Sequence, residues 1–225
     1  MMANGDAPIY TVRGERVALG PPRRDQIDLW LRWYNDLEVT RTLGASRVIT
    51  REMEERFYEE ATQEKQQGKA VSFAIYELET GRPIGTCSLR EIDHQNGTAT
   101  FGIAIGEKEC WNRGYGTEAT RLTLDYAFHA LGLHNVLLQV YANNLRGARA
   151  YEKAGFRVIG RRRGARRLGQ RRMDVILMDA VADDFTSPVL ERLLHAPQEP
   201  PDGGTSAGPA SAPAREDGAQ RDATR

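Results

Sequence analysis

Apolar and polar positions along this chain change period several times, and the order of those changes predicts the architecture. Residues 10–22, YTVRGERVALGPP, read as a short strand ended by Pro21 and Pro22. Asp25 is placed to cap the next element, in which Ile27, Trp30, Leu31 and Tyr34 recur at helical spacing. Thr50 is the expected cap of a second helix running through REMEERFYEEATQEKQQ and stopped at Gly68. Three strands follow, 70–77, 83–92 and 99–106, joined by TGR and DHQNGT, and they read as an antiparallel meander. The period then lengthens. Residues 114–131 have the broad apolar coverage of a packed helix, and NVLLQVY (135–141) is a buried strand. A helix over 144–155 ends at Gly155, and FRVIG with MDVILMDA forms a closing pair of strands. Helices on a mixed sheet make one α/β (α+β) domain.

Composition narrows the class. The chain has 225 residues, enough for one well-filled domain, and a formal net charge of +0 gives no global reason to expect nucleic acid. Past His195 the residues are largely Pro, Gly, Ala and Ser, which cannot offset their ordering entropy by burial. The expected division is a folded domain over 9–195 and a disordered Pro/Gly/Ala-rich tail over 196–225. Cys87 and Cys110 form no C-x-x-C pair, and the four histidines have no metal-ligand spacing, so no metal is expected. The N-terminus lacks a basic segment followed by an apolar one, and no apolar run approaches the roughly 18 residues of a membrane span. The chain therefore reads as cytoplasmic, with no membrane partner.

The candidate chemistry starts at CWNRGYGTEA, residues 110–119. Two glycines one residue apart lead into a helix, and a helix start leaves N–H groups that can take an anion. Gly114, Gly116 and Ala119 satisfy G-x-G-x-x-A, but a dinucleotide fold also wants a strand directly before them and an acidic residue about 20 positions on. EKECWNR intervenes here, and VLLQVY has no acid. A Walker A loop is absent. The turn can hold some phosphate, or it can be a glycine-assisted helix start.

Residues 99–156 resemble the core of the GCN5-related N-acetyltransferases, particularly the branch that acetylates ribosomal-protein N-termini. The resemblance rests on WNRGYG (111–116), similar to the family's [QR]-x-x-G-x-[GA] signature, and on NLRGARAYEKAGF (144–156), similar to its later Asn, Tyr, Lys, Gly-Phe motif. It extends more loosely over 10–182. Trp111 stands where the family often has Gln or Arg.

That resemblance implies an acyl-CoA N-acyltransferase fold, a mixed, splayed sheet flanked by helices with acetyl-CoA lying in the V between two strands. Backbone N–H groups of Arg113, Gly114, Tyr115, Gly116 and Thr117 would face the pyrophosphate, with the Arg113 charge nearby, and Ile103, Ala104 and Ile105 would offer backbone groups to the pantetheine as an added strand does. Asn144, Arg146 and Lys153 join this cofactor-binding set. Asn144 and Tyr151, seven apart, share one helix face. Tyr151 is the expected catalytic acid, able to protonate the departing thiolate. The family's usual base, a Glu before the cofactor strand, is replaced by Thr100; Glu91, Asp93 and His94 are the candidates in the preceding segment, and none is selected. Cys110 has no base beside it in sequence, which favours direct attack by the amine over an acetyl-enzyme.

The implied reaction moves the acetyl group of acetyl-CoA to a primary amine of a small molecule or a protein N-terminus. Asp36, His94, Thr100 and Asp174 are the substrate-side candidates. The acidic run 52–64 could meet a cationic amine, or it could be a solvated helix face. Two further readings stay open: an acetyl-CoA-binding module without turnover, suggested by Thr100, and a ribosome or nucleic-acid partner held by the arginine hairpin 161–172. A homodimer is also open.

Overall fold

In the computed structural model, residues 7–43 and 48–194 are described, so the expectation of a tail over 196–225 and the boundary at 195 lie outside them. Strands β3 (Val71–Glu77), β4 (Pro83–Asp93) and β5 (Thr98–Ile105) form the expected antiparallel meander. Its inner residues, among them Phe73, Ile75, Ile84, Leu89 and Phe101, are buried. The 10–22 stretch is two strands rather than one: β1 (Val12–Arg13) turns at Gly14 and pairs with β2 (Val17–Gly20), which continues the sheet onto β3. The polar RGER segment supplies that turn, and Gly14 N–H bonds the Val17 carbonyl at 2.9 Å.

Helix α1 (Ile27–Tyr34) follows a short 3-10 turn, Arg24–Gln26. Asp25 does not cap it. Asp25 sits inside the turn and pairs with Arg23, while Gln26 closes the turn by accepting from Arg23 N–H at 3.1 Å. Asp36 caps the short α2 (Leu37–Thr40), and Thr50 caps α3 (Arg51–Gln66) as expected.

The second half carries α4 (Tyr115–Asp125), which widens into a π-helical turn over Tyr126–Ala130. Ala119, Leu122 and Leu124 are buried beneath the sheet's first half. Strand β6 (Asn135–Tyr141) leads to α5 (Leu145–Ala154), ended by Gly155 at φ +114°. Strands β7 (Arg157–Leu168) and β8 (Arg171–Val181) are much longer than the sequence pattern suggests, because most of the arginine hairpin is strand. Helix α6 (Leu190–Leu194) closes the described chain.

The sheet order is β1-β2-β3-β4-β5-β6-β8-β7. Every neighbouring pair is antiparallel except β5 and β6, which run parallel and pair only over Thr98–Thr100 and Asn135–Leu137. Past that short ladder the two strands part. Phe101–Ile105 on one side and Leu138–Tyr141 on the other line the opening. The splay positions the site.

Candidate active site

The opening is a cleft of about 1440 Å³, larger than the ~300–1,000 Å³ of a usual small-molecule pocket. Its floor is the β5 edge. One wall is the turn into α4 together with α5, and the other is built by α1 and α3.

The glycine turn is shaped from below by a buried carboxylate. Glu77 accepts from Tyr115 Oη at 2.8 Å, Thr80 Oγ1 at 2.9 Å, and Arg82 Nε and Arg113 Nη1 at 3.3 Å each. Burial alone would raise its carboxyl, but the bonds from Tyr115, Thr80 and Arg82 outweigh burial and hold it below the usual range. The Arg113 and Tyr115 side chains are thereby drawn to Glu77, and of the two residues only Tyr115 lines the cleft. The Arg113 charge was expected near the pyrophosphate; its guanidinium is committed to Glu77 and to the Tyr115 ring, 4.8 Å away, and Arg113 is absent from the cleft lining. Two residues here need left-handed backbone, Gly114 at φ +82° and Asn112 at φ +61°. The first backbone bond of α4 runs from Glu118 N–H to the Gly114 carbonyl, so the N–H groups of Tyr115, Gly116 and Thr117 precede it without an intrahelical acceptor. A methyl group added at Gly116 would meet nothing closer than Ile105 Cγ1 at 3.7 Å. That is open space above free donors, as an incoming phosphate requires.

Trp111, the departure from the family signature, has two contacts. Its indole N–H donates to the Ile105 carbonyl at 2.8 Å, closing the end of the β5 edge, and the Arg146 guanidinium lies 3.9 Å over its ring. Arg146 is thereby fixed at the cleft wall, a placement that the sequence motif alone does not reveal. On α5, Asn144 caps the helix by accepting from Gly147 N–H at 2.9 Å. A Cβ at Gly147 would collide with the Asn144 amide at 2.6–3.0 Å, so the glycine makes room for the cap. The Asn144 Nδ2 remains available. Two turns on, Tyr151 packs edge-on against Phe101 and Phe156, and its hydroxyl has no hydrogen-bond partner among the described residues. Burial pushes its pKa up to about 12. Ile103, Ala104, Ile105, Thr117 and Lys153 also line the cleft.

Of the substrate-side candidates only Thr100 lines it. Its Oγ1 donates to Glu91 Oε2 at 2.8 Å, and Glu91 lines the cleft too. Glu91 holds φ +53° at the irregularity in the β4–β5 register, a conformation that costs a non-glycine residue about 1–2 kcal/mol. The other two base candidates are spoken for: Asp93 accepts from Gln95 N–H, Asn96 N–H and the Asn96 amide, and His94 bonds the Gly68 carbonyl at 2.9 Å. Asp36 is 2.8 Å from Lys108 Nζ, which with the Glu38 N–H lowers its pKa. The Asp174 carboxyl is held low by Gly164 N–H at 2.7 Å and Arg161 Nε at 2.6 Å. Asp36, His94 and Asp174 all lie outside the cleft lining, their polar groups engaged elsewhere.

Cys110 is buried, and burial followed by the Glu77 charge raises its thiol, so a nucleophilic thiolate is disfavoured. No group of three or more His, Cys, Asp or Glu among the described residues could hold a metal ion, and no described helix is long and apolar enough to cross a membrane.

Comparison with known proteins decides the family. Residues 16–157 match the acetyltransferase (GNAT) domain model. The chain belongs to the GNAT acetyltransferases. It is 25% identical over 175 residues to the uncharacterized N-acetyltransferase p20 of Bacillus licheniformis, covering 78% of this chain and 98% of that protein. It is 36% identical over 80 residues to spermidine N(1)-acetyltransferase of Escherichia coli, covering 36% and 42%. Among solved structures, the Vibrio cholerae spermidine N-acetyltransferase in complex with CoA and spermine superposes with a TM-score of 0.69 at 21% identity, covering 75% of this chain and 97% of that one. Mycobacterium smegmatis RimJ in complex with CoA-disulfide gives the same TM-score, 0.69, at 19% identity, covering 80% and 88%. These likenesses carry the fold, and they do not separate the ribosomal-protein branch from the others. As a GNAT enzyme the chain is an acetyl-CoA-dependent acetyltransferase, and the alternative of a cofactor-binding module without turnover falls away.

Proposed function

We propose that this GNAT enzyme acetylates a primary amine by direct attack, with Tyr151 as acid and a Glu91–Thr100 pair as base. The observation that carries this reading is the 2.8 Å hydrogen bond from Thr100 to Glu91 in the same cleft as the unpartnered Tyr151 hydroxyl. The free N–H groups of Tyr115, Gly116 and Thr117 hold the pyrophosphate, the β5 edge takes the pantetheine, and Asn144 Nδ2, Arg146 and Lys153 complete the cofactor contacts.

The acceptor reaches the cleft as an ammonium ion. One proton passes to Thr100 Oγ1 as Thr100 gives its own to Glu91, leaving a neutral amine. The nitrogen bonds the acetyl carbonyl carbon, the bond from that carbon to sulfur breaks, and the nitrogen releases its second proton to solvent as the amide forms. Tyr151 donates its phenolic proton to the departing thiolate. After release, the proton on Glu91 and the proton missing from Tyr151 are exchanged with solvent, and the products are the amide and free CoA thiol. A phenol pushed up to about 12 gives its proton to a thiol with cysteine's ordinary value of about 8.5 only steeply uphill, by roughly 5 kcal/mol, as a separate step. The proton therefore moves together with carbon–sulfur cleavage, when charge on sulfur is still developing.

The Glu at the family's usual position is thus replaced by a carboxylate one strand away acting through the Thr100 hydroxyl. The test is thiol release with a panel of amines, N-terminal peptides and polyamines. Glu91→Gln should lower kcat about 10–100-fold, the scale of lost general-base help, and the loss should shrink at high pH where the free amine is abundant. An unchanged kcat near neutral pH would remove Glu91 from the mechanism.

A further inference from the structure

Between α1 and α3, away from Tyr151's helix, the cleft wall holds a carboxylate without a partner among the described residues. Glu54 is 93% buried by its 7% exposure, lines the cleft, and makes no side-chain hydrogen bond or ion pair among the described residues. Its neighbours are aromatic. Trp30 stacks on Tyr58 with ring centroids 5.9 Å apart, and Tyr34, one turn along α1 from Trp30, is fixed by its 2.9 Å bond to Thr86 Oγ1. Arg24 lies over Tyr58 from outside, 5.8 Å from the centroid, so that ring is a wall rather than a free face.

Of the seven α3 residues that reach the cleft, Glu54, Phe57, Tyr58, Ala61, Glu64 and Lys65 form one helical stripe, and Glu60 lies beside it. The acidic run is therefore not simply a solvated face. A buried, unpaired carboxylate is costly, and a cation entering the cleft would offset that cost. Burial raises the Glu54 carboxyl, as an empty subsite for a positive charge would. The cations in the neighbourhood leave it unpaired: Lys65 on the same helix and Arg90 on β4 line the cleft, and neither forms an ion pair with it.

We propose that Glu54, walled by Trp30, Tyr34 and Tyr58, receives a second cationic nitrogen of the acceptor, which makes the substrate class an amine carrying at least two positive charges on an aliphatic frame. This rests on the acetyltransfer reading above, since the first nitrogen is the one acetylated. The rings take the methylene chain, and the carboxylate takes the distal ammonium. The Trp30 indole N–H, a buried donor without a partner among the described residues, lies in the same wall.

The test is calorimetry on the full chain at physiological ionic strength, without acetyl-CoA, comparing α,ω-diaminoalkanes with n-alkylamines of equal length. The diamine should bind at least about 10-fold more tightly than the matched monoamine, and Glu54→Gln should remove most of that difference. Glu54→Gln is nearly isosteric and deletes a buried charge, so a melting curve at least as high as the native one is expected alongside. Equal binding of diamine and monoamine by the native protein would overturn the proposal, whatever the variant does. So would a preference for diamines that survives in Glu54→Gln. Thiol release distinguishes the two readings. Turnover of monoamines and diamines alike, untouched by Glu54→Gln, overturns the subsite and leaves acetyltransfer standing. Selective diamine binding with no turnover of any amine overturns the proposed chemistry and leaves the subsite standing.

Discussion

Replacing Glu77 by glutamine tests whether the phosphate turn is held from beneath. Oε1 of Glu77 takes Tyr115 and Arg113, and Oε2 takes Thr80 and Arg82. A glutamine must turn its –NH2 toward one of these pairs, so either orientation loses two bonds, one neutral and one from a guanidinium. At roughly 0.5–1.5 kcal/mol for the first and 1.5–3 for the second, the loss is about 2–4 kcal/mol. In a chain of this size that lowers Tm by roughly 4–16 °C. The pH dependence is specific. Because the folded carboxyl lies below its ordinary value, its contribution is fully present above the unfolded carboxylate pKa of about 4.3 and is lost as pH falls through the lower folded value. The gap between native and Glu77→Gln melting curves should therefore be full at pH 7 and close in acid. The assay is thermal unfolding across pH, with acetyl-CoA calorimetry beside it to read the slackened turn as weaker binding. A Tm within about 2 °C of native at pH 7, or a gap that does not change with pH, would refute the reasoning.

Two shorter predictions concern the ends of α4. Gly116→Val adds bulk where only Ile105 Cγ1 is near, at 3.7 Å, so the fold should hold while acetyl-CoA affinity drops at least about 10-fold; unchanged affinity in the folded variant would exclude this turn as the phosphate site. Asp125, fully buried, accepts from Ser187 Oγ at 2.6 Å, Val189 N–H at 3.0 Å and Leu190 N–H at 2.9 Å and pairs with His129, so Asp125→Ala should cost about 2–4 kcal/mol and expose the segment before α6 to early proteolysis; native-like melting would contradict that.

Much of this was legible in the sequence, and the exceptions have physical causes. The meander, the Gly114–Gly116 turn and the Asn144–Tyr151 helix each follow from local periodicity or a local motif, and the structure has them at the expected residues. The hairpin inside 10–22 was missed because its turn, RGER, carries no proline or Asn-Gly signal. Asp25 reads as a cap by residue type, but Arg23 takes its carboxylate. Side-chain direction at the site depends on partners far away in sequence. Arg113 is turned aside by Glu77, 36 residues earlier. Glu91 stands out from Asp93 and His94 only when the β4–β5 register sets it against Thr100. Asp36, His94 and Asp174 were chosen for chemistry, but each has a neighbour that occupies it. Glu54 was one acid among many until α3 was packed against α1, since burial and lack of a partner are properties of the fold.

The central claim is direct transfer with Tyr151 protonating the thiolate, and single-turnover kinetics tests it most directly. With enzyme in excess over acetyl-CoA and a saturating amine, rapid quench reads the chemical step alone. Tyr151→Phe keeps the ring packed on Phe101 and Phe156 and removes only a hydroxyl without a hydrogen-bond partner among the described residues. The account predicts that acetyl transfer slows about 10–1000-fold with acetyl-CoA affinity unchanged, and that mass spectrometry finds no acetyl group on Cys110 during the reaction. A native rate constant in Tyr151→Phe, or an acetyl-Cys110 species forming and decaying at the rate of turnover, would contradict it.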